Sequence, residues 1–128
     1  MTSGYYFAAI IGAVVSFIAG CIWYTVVAGK AWQKEMGLSD DRIKAIFVPK
    51  KMLLAFVCEW LAAFCTIGIF VNLPVSLIHK VFMLVTVLVF QGVKLSIFDG
   101  KSMKVIFINE GYRVLSIVIL AITYTIFI

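Results

Sequence analysis

An all-α integral membrane bundle of four helices is the fold class this sequence predicts, and three observations predict it. Of its 128 residues, 64% are hydrophobic and only 13% are charged. The mean hydropathy of +1.13 lies far beyond soluble usage. Four apolar runs, 5–27, 52–71, 81–98 and 105–128, each have the length needed to cross a hydrocarbon core about 30 Å thick. No run alternates polar and apolar residues as a barrel strand would, and lipid offers no partner to an unpaired peptide group, so helices are the solution that remains. A water-soluble fold of this length could not hide so much apolar surface. The bilayer is therefore the expected partner, and residues 1–128 are expected to form a single transmembrane domain.

The first run carries small residues at every fourth position: Gly4, Ala8, Gly12, Ser16 and Gly20. In lipid the hydrophobic effect does not drive helices together, and such a stripe lets two backbones approach closely. The stripe suits packing within the bundle and also a contact between subunits. Ile18, Ala19, Gly20 and Cys21 have the form of a lipoprotein cleavage box, but no positive residue precedes the run and the run continues past Cys21. A retained span is expected instead. Trp23, Tyr24, Lys30 and Trp32 follow as interfacial anchors, aromatic rings and a cation at headgroup level.

The link 28–51 is the longest connection. Ser39 is placed to cap a short helix whose first turn holds Asp40 and Asp41, and Ile43, Ile46 and Phe47 share one face before Pro49. That describes a short amphipathic helix at the membrane surface. The link also holds Lys30, Lys34, Arg42, Lys44, Lys50 and Lys51; the third turn adds Lys101 and Lys104, and the second has only Lys80. By the positive-inside rule these basic loops face the cytoplasm and both termini face outward. The net charge of +5 is thus a topology signal, and nucleic-acid binding is not expected, because no aromatic-interleaved basic groove accompanies it.

The second run contains Cys58, Glu59 and Cys65. With Cys21 these thiols read as small buried hydrophobes, and with His79 the lone histidine no metal or cofactor site is expected. The third run contributes Gln91 and Lys94, and the fourth Asn109, Glu110 and Arg113. At 1.5 Å per residue, Glu59 lies roughly 10 to 12 Å from the inner end of its helix, and Glu110 and Arg113 about 9 and 13 Å from the inner end of theirs. All six side chains fall in the cytoplasmic half. An unpaired charge at mid-membrane costs about 3 kcal/mol even on lenient scales, so two acids and two bases at one level are expected to cancel. The proposed pairs are Glu59 with Arg113 and Glu110 with Lys94, with Gln91 and Asn109 as neutral hydrogen-bonding partners. Asn109, Tyr112, Arg113 and Ser116 share one face of the fourth helix by their spacing.

Trp23 and Tyr24, then Gly29, Lys30 and Trp32, then Met36 and Gly37, and finally the run from Ile108 to Arg113 resemble the uncharacterised bacterial membrane family known as domain of unknown function 1761. The resemblance covers nearly the whole chain. It implies a four-helix protein of the bacterial cytoplasmic (inner) membrane with no established activity. Glu110 departs from the small residue common at that position in the family's Asn-x-Gly-Tyr segment.

The function expected on these grounds is a small transporter or channel, a homo-oligomer because four short helices rarely enclose a pathway alone. The alternative is a structural or partner-binding membrane subunit in which the polar cluster is an electrostatic staple. An enzyme is not expected, since no Ser/His/Asp set, metal cluster or phosphate-cradling loop is present.

Overall fold

The computed structural model describes residues 3–128. Helix α1, Ser3–Ile22, runs directly into a π-helical turn, Trp23–Val27, marked by the bond from the Ala28 amide to the Trp23 carbonyl at 2.8 Å. Two short helices follow, α2 (Gly29–Met36) and α3 (Asp40–Ile46), and then three long ones: α4 (Pro49–Asn72), α5 (Leu77–Phe98) and α6 (Met103–Phe127). The span Ser3–Val27 and helices α4, α5 and α6 are each long and apolar enough to cross a membrane.

The long helices start earlier than their apolar runs because the residues before each run cap or open its first turn. Ser76 and Ser102 accept hydrogen bonds from the amides of His79 and Val105, at 3.4 and 3.3 Å. Each side chain thus satisfies an orphan donor of the first turn. Helices α5 and α6 consequently begin at Leu77 and Met103, ahead of the expected 81 and 105. Pro49 opens α4 after an extended Val48, where its fixed φ suits the first turn and its missing N–H costs nothing. The helix expected to start at 52 therefore gains a turn.

The link holds a short helix, α3, where one was expected, capped by Ser39, whose Oγ accepts from the Arg42 amide at 3.2 Å. The preceding α2 had no sequence expectation. It ends in a Schellman motif: Gly37 takes φ +67°, while Leu38 and Gly37 donate to Gln33 and Lys34 carbonyls at 3.0 and 3.2 Å. Gly100, at φ +72°, closes α5 in the same way. At both positions a side chain would be strained in the left-handed region.

Helix α1 is the spine of the bundle. It packs along α6 on one side and α4 on the other, and α5 lies against α6. The small-residue stripe makes this possible. Ala8, Gly12 and Ser16 are buried, Gly12 faces Leu120 and Thr123, and a Cβ on Gly20 would fall 2.8 Å from the Tyr112 hydroxyl. Within this chain the stripe is thus a seam between α1 and α6, worth its van der Waals contacts in lipid. Tyr5, Ala13, Ile67, Phe70, Ile117 and Leu120 fill the core. Helix α5, by contrast, scarcely touches α4, so the ring of four helices is left open along one seam.

Lys80 sits in the first turn of α5 and is only 6% exposed. Its ammonium donates to the Phe70 carbonyl, near the end of α4, and lies 5.8 Å from the centre of the Tyr124 ring. A cation there satisfies a carbonyl that the helix leaves unpaired and faces the negative end of its dipole.

Candidate functional site

Glu59, Asn109, Glu110 and Arg113 converge in the half of the bundle nearer α2 and α3, the basic end. Helix α4 presents Glu59 towards α6. Its Oε1 accepts from the Ser116 hydroxyl at 3.2 Å, and Oε2 lies 3.5 Å from the Tyr112 hydroxyl. The Tyr112 proton has a nearer acceptor, the Ser16 carbonyl at 2.9 Å, so Ser116 is the better donor to the carboxylate. Tyr112 reaches across to α1 because Gly20 leaves room for its ring.

The π-helical turn explains how α1 completes the site. Its wider turn brings the neighbouring rings of Trp23 and Tyr24 to α6 together. Trp23 Nε1 donates to the Ile108 carbonyl at 2.9 Å, and the Tyr24 hydroxyl donates to Asn109 Oδ1 at 2.8 Å. The Trp23 ring lies close over Gly111. Tyr24 also packs edge-on against Tyr112 and Trp32, with ring centres 5.8 and 5.3 Å apart. Such π-turns recur at functional sites because they redirect side chains that an α-helix would separate.

Glu110 and Arg113 form an ion pair on one helix, Oε2 to Nε at 2.9 Å. It is the sole ion pair among the described residues. Glu110 is buried, its carboxyl seated on Gly92 of α5, where a Cβ would collide with it. The Arg113 side chain is 42% exposed and lines the cleft.

These placements correct the expected pairing. Arg113 pairs with Glu110 and not with Glu59, because the three-residue spacing puts the two on adjacent positions of one helix face. Gln91 and Lys94 are exposed and do not join Asn109, Glu110, Glu59 and Arg113. Gly92 and Ser96 occupy the buried face of α5, and Gln91 and Lys94 lie about 100° and 160° round the helix from Gly92. Tyr24, read from sequence as an interfacial anchor, contributes directly to the cluster. Trp23 and Trp32 are half-buried beside it and Lys30 is exposed. Cys58 and Cys65 are exposed on α4 and Cys21 is partly exposed, all three free, whereas the sequence reading had buried them. Among the described residues no group of His, Cys, Asp or Glu could hold a metal ion.

The cluster lines a cleft of about 510 Å³ at the open seam between α4 and α5, floored by α6. Glu59, Arg113, Tyr112 and Ser116 face it, with Lys101 and Asp99 at its basic end. A second cavity of about 370 Å³ lies towards α2 and α3, lined by Trp32, Met36, Ile46 and Phe47. Tyr24, Glu59, Lys101, Asn109 and Tyr112 line both. Glu59 is the one carboxylate among these shared residues.

The model of a family described as a protein of unknown function, DUF1761, matches residues 7–125 of the chain. No curated protein and no solved structure matches it.

Proposed function

We propose, from the premise that this chain belongs to the DUF1761 family, that it is a small membrane transporter whose central group is Glu59. One observation carries this reading: Glu59 lines both cavities and its carboxyl is held by the Ser116 hydroxyl, with no cation paired to it among the described residues. A carboxyl in that position can exchange a proton or a small cationic solute with either side, and intramembrane ionisable groups mark such pathways. The Glu110–Arg113 pair beside it keeps the remaining charge of the cleft neutral. The cluster acts on a solute by binding and carries out no covalent chemistry.

The working form is a homo-oligomer in a bacterial cytoplasmic membrane, with basic loops inside and termini outside. The uneven distribution of Lys and Arg supports that orientation, and the incomplete closure of four helices supports the assembly. A structural subunit is the second reading. It is favoured by one feature, the Glu110–Arg113 pair, whose intrahelical geometry suits a staple.

Proton and ion flux through proteoliposomes tests the choice, with wild type compared with folded Glu59→Gln and Arg113→Gln variants. Flux in wild type that disappears in Glu59→Gln supports transport. No flux in any form, with loss of thermal stability alone in the variants, sinks it and supports the staple.

A further inference from the structure

The second cavity, about 370 Å³, has walls made of successive turns of three helices: Gly20 and Tyr24, Ala55 and Glu59, and Asn109 and Tyr112. Trp32 of α2 and Phe47 of α3 complete its lining from the basic end. Its volume is within the range of small-molecule sites, about 300–1,000 Å³.

Three of the lining rings form a corner. Tyr24 stands edge-on to Trp32 and to Tyr112, with ring centres 5.3 and 5.8 Å apart and interplanar angles of 70° and 67°. The faces of such rings carry the negative end of their quadrupole and attract a cation. The protons of the two tyrosine hydroxyls are spent within the chain, on Asn109 Oδ1 and the Ser16 carbonyl. Glu59 adjoins the corner: its Oε1 accepts from Ser116, and its Oε2 lies 3.5 Å from the Tyr112 hydroxyl. A hydroxyl bond leaves the charge of a carboxylate uncompensated. Lys101 also lines the cavity, but no ion pair joins it to Glu59 among the described residues.

This lining selects among cations. A metal ion takes several oxygen ligands, and among the described residues no group of His, Cys, Asp or Glu could hold one. A primary ammonium brings three N–H donors and meets one carboxylate, so its remaining donors are desolvated at a cost. A quaternary ammonium has no N–H to satisfy and spreads its charge over alkyl groups that pack on ring faces.

We infer that this cavity binds a small quaternary ammonium cation, its alkyl groups against Tyr24, Trp32 and Tyr112 and its charge balanced by Glu59. This deepens the transport reading by naming the class of solute, and rests on that reading in calling the cation a substrate.

The test is binding of labelled benzyltrimethylammonium to the purified full chain in detergent, with displacement by unlabelled competitors. Neopentylbenzene, its neutral isostere, and benzylammonium should each compete about ten-fold or more weakly than unlabelled benzyltrimethylammonium. Trp32→Leu and Glu59→Gln should each weaken binding about ten-fold, and Trp32→Phe should restore part of the loss. Lys101→Gln, which removes a like charge from the lining, should keep or tighten binding. Equal competition by the three compounds overturns the inference, and so does loss of binding in Lys101→Gln, the mark of an anion site. Should the variants fail to fold, the wild-type chain decides through Cys21, which lines the cavity. Benzyltrimethylammonium should slow its labelling by N-ethylmaleimide, located by peptide mapping, and leave Cys58 and Cys65 unchanged; an unchanged rate at Cys21 overturns the inference. Binding is read without flux. Proton flux that depends on Glu59, with no binding of the cation, overturns this inference and leaves the transport reading standing, whereas binding without flux keeps the site and sinks transport.

Discussion

Arg113 and Glu110 pair on the same face of α6, Nε to Oε2 at 2.9 Å, leaving Glu59 on the facing helix with the Ser116 hydroxyl as its donor. The charges of the cluster therefore have unequal roles. One acid is neutralised by its own helix; the other is free to meet whatever occupies the cleft.

Removing one partner of the pair should cost more than removing both. Arg113→Gln leaves the Glu110 carboxylate buried without its cation and is expected to destabilise the chain by about 2 kcal/mol, a figure tempered by the half-exposed guanidinium. The double variant Glu110→Gln, Arg113→Gln should recover most of that loss, because two neutral amides carry no uncompensated charge. Thermal unfolding in detergent of the two variants and wild type measures the difference.

Gly92 supports the pair from α5. A Cβ there meets the Glu110 carboxyl, so Gly92→Ala is expected to push that carboxyl off its seat and destabilise by about 1–3 kcal/mol. Gly92→Ala combined with Glu110→Ala should be milder than Gly92→Ala alone. A melting series showing simple additivity would contradict the contact.

The bond from Tyr24 to Asn109 ties the π-turn to α6. Tyr24→Phe should cost about 1 kcal/mol, and a double-mutant cycle with Asn109→Leu should return a coupling of about 0.5–1.5 kcal/mol. A coupling near zero would mean that the turn is held by Trp23 alone.

Lys80 caps α4 from within the bundle. Lys80→Met keeps the aliphatic stem and removes the donor to the Phe70 carbonyl, so a loss of about 1–3 kcal/mol is expected. Lys80→Arg should retain part of the stability. Denaturation in mixed micelles is the check.

The charge asymmetry of the loops predicts orientation. With the native thiols replaced, Lys34→Cys in α2 should react with a membrane-impermeant maleimide only in inverted vesicles, and His79→Cys only in right-side-out cells. The reverse pattern would overturn the inward placement of the basic loops.

Membrane character and the four spans were legible in the sequence because a span is a one-dimensional property, a length of apolar residues set against a bilayer thickness. Depth is one-dimensional too, and Glu59, Asn109, Glu110 and Arg113 could therefore be placed near one level from rise per residue alone. Which of them touch depends on the rotation of each helix about its axis, and packing sets that rotation. The seating of Glu110 on Gly92 turns Gln91 and Lys94 outward, and no count along the chain contains that. The partners of the π-turn Trp23–Val27 are likewise tertiary, since Trp23 and Tyr24 bond to Ile108 and Asn109 of α6, 85 residues along the chain. The open α4–α5 seam is tertiary too: it exists because α5 packs on α6 and scarcely meets α4, a choice among neighbours that hydropathy does not encode.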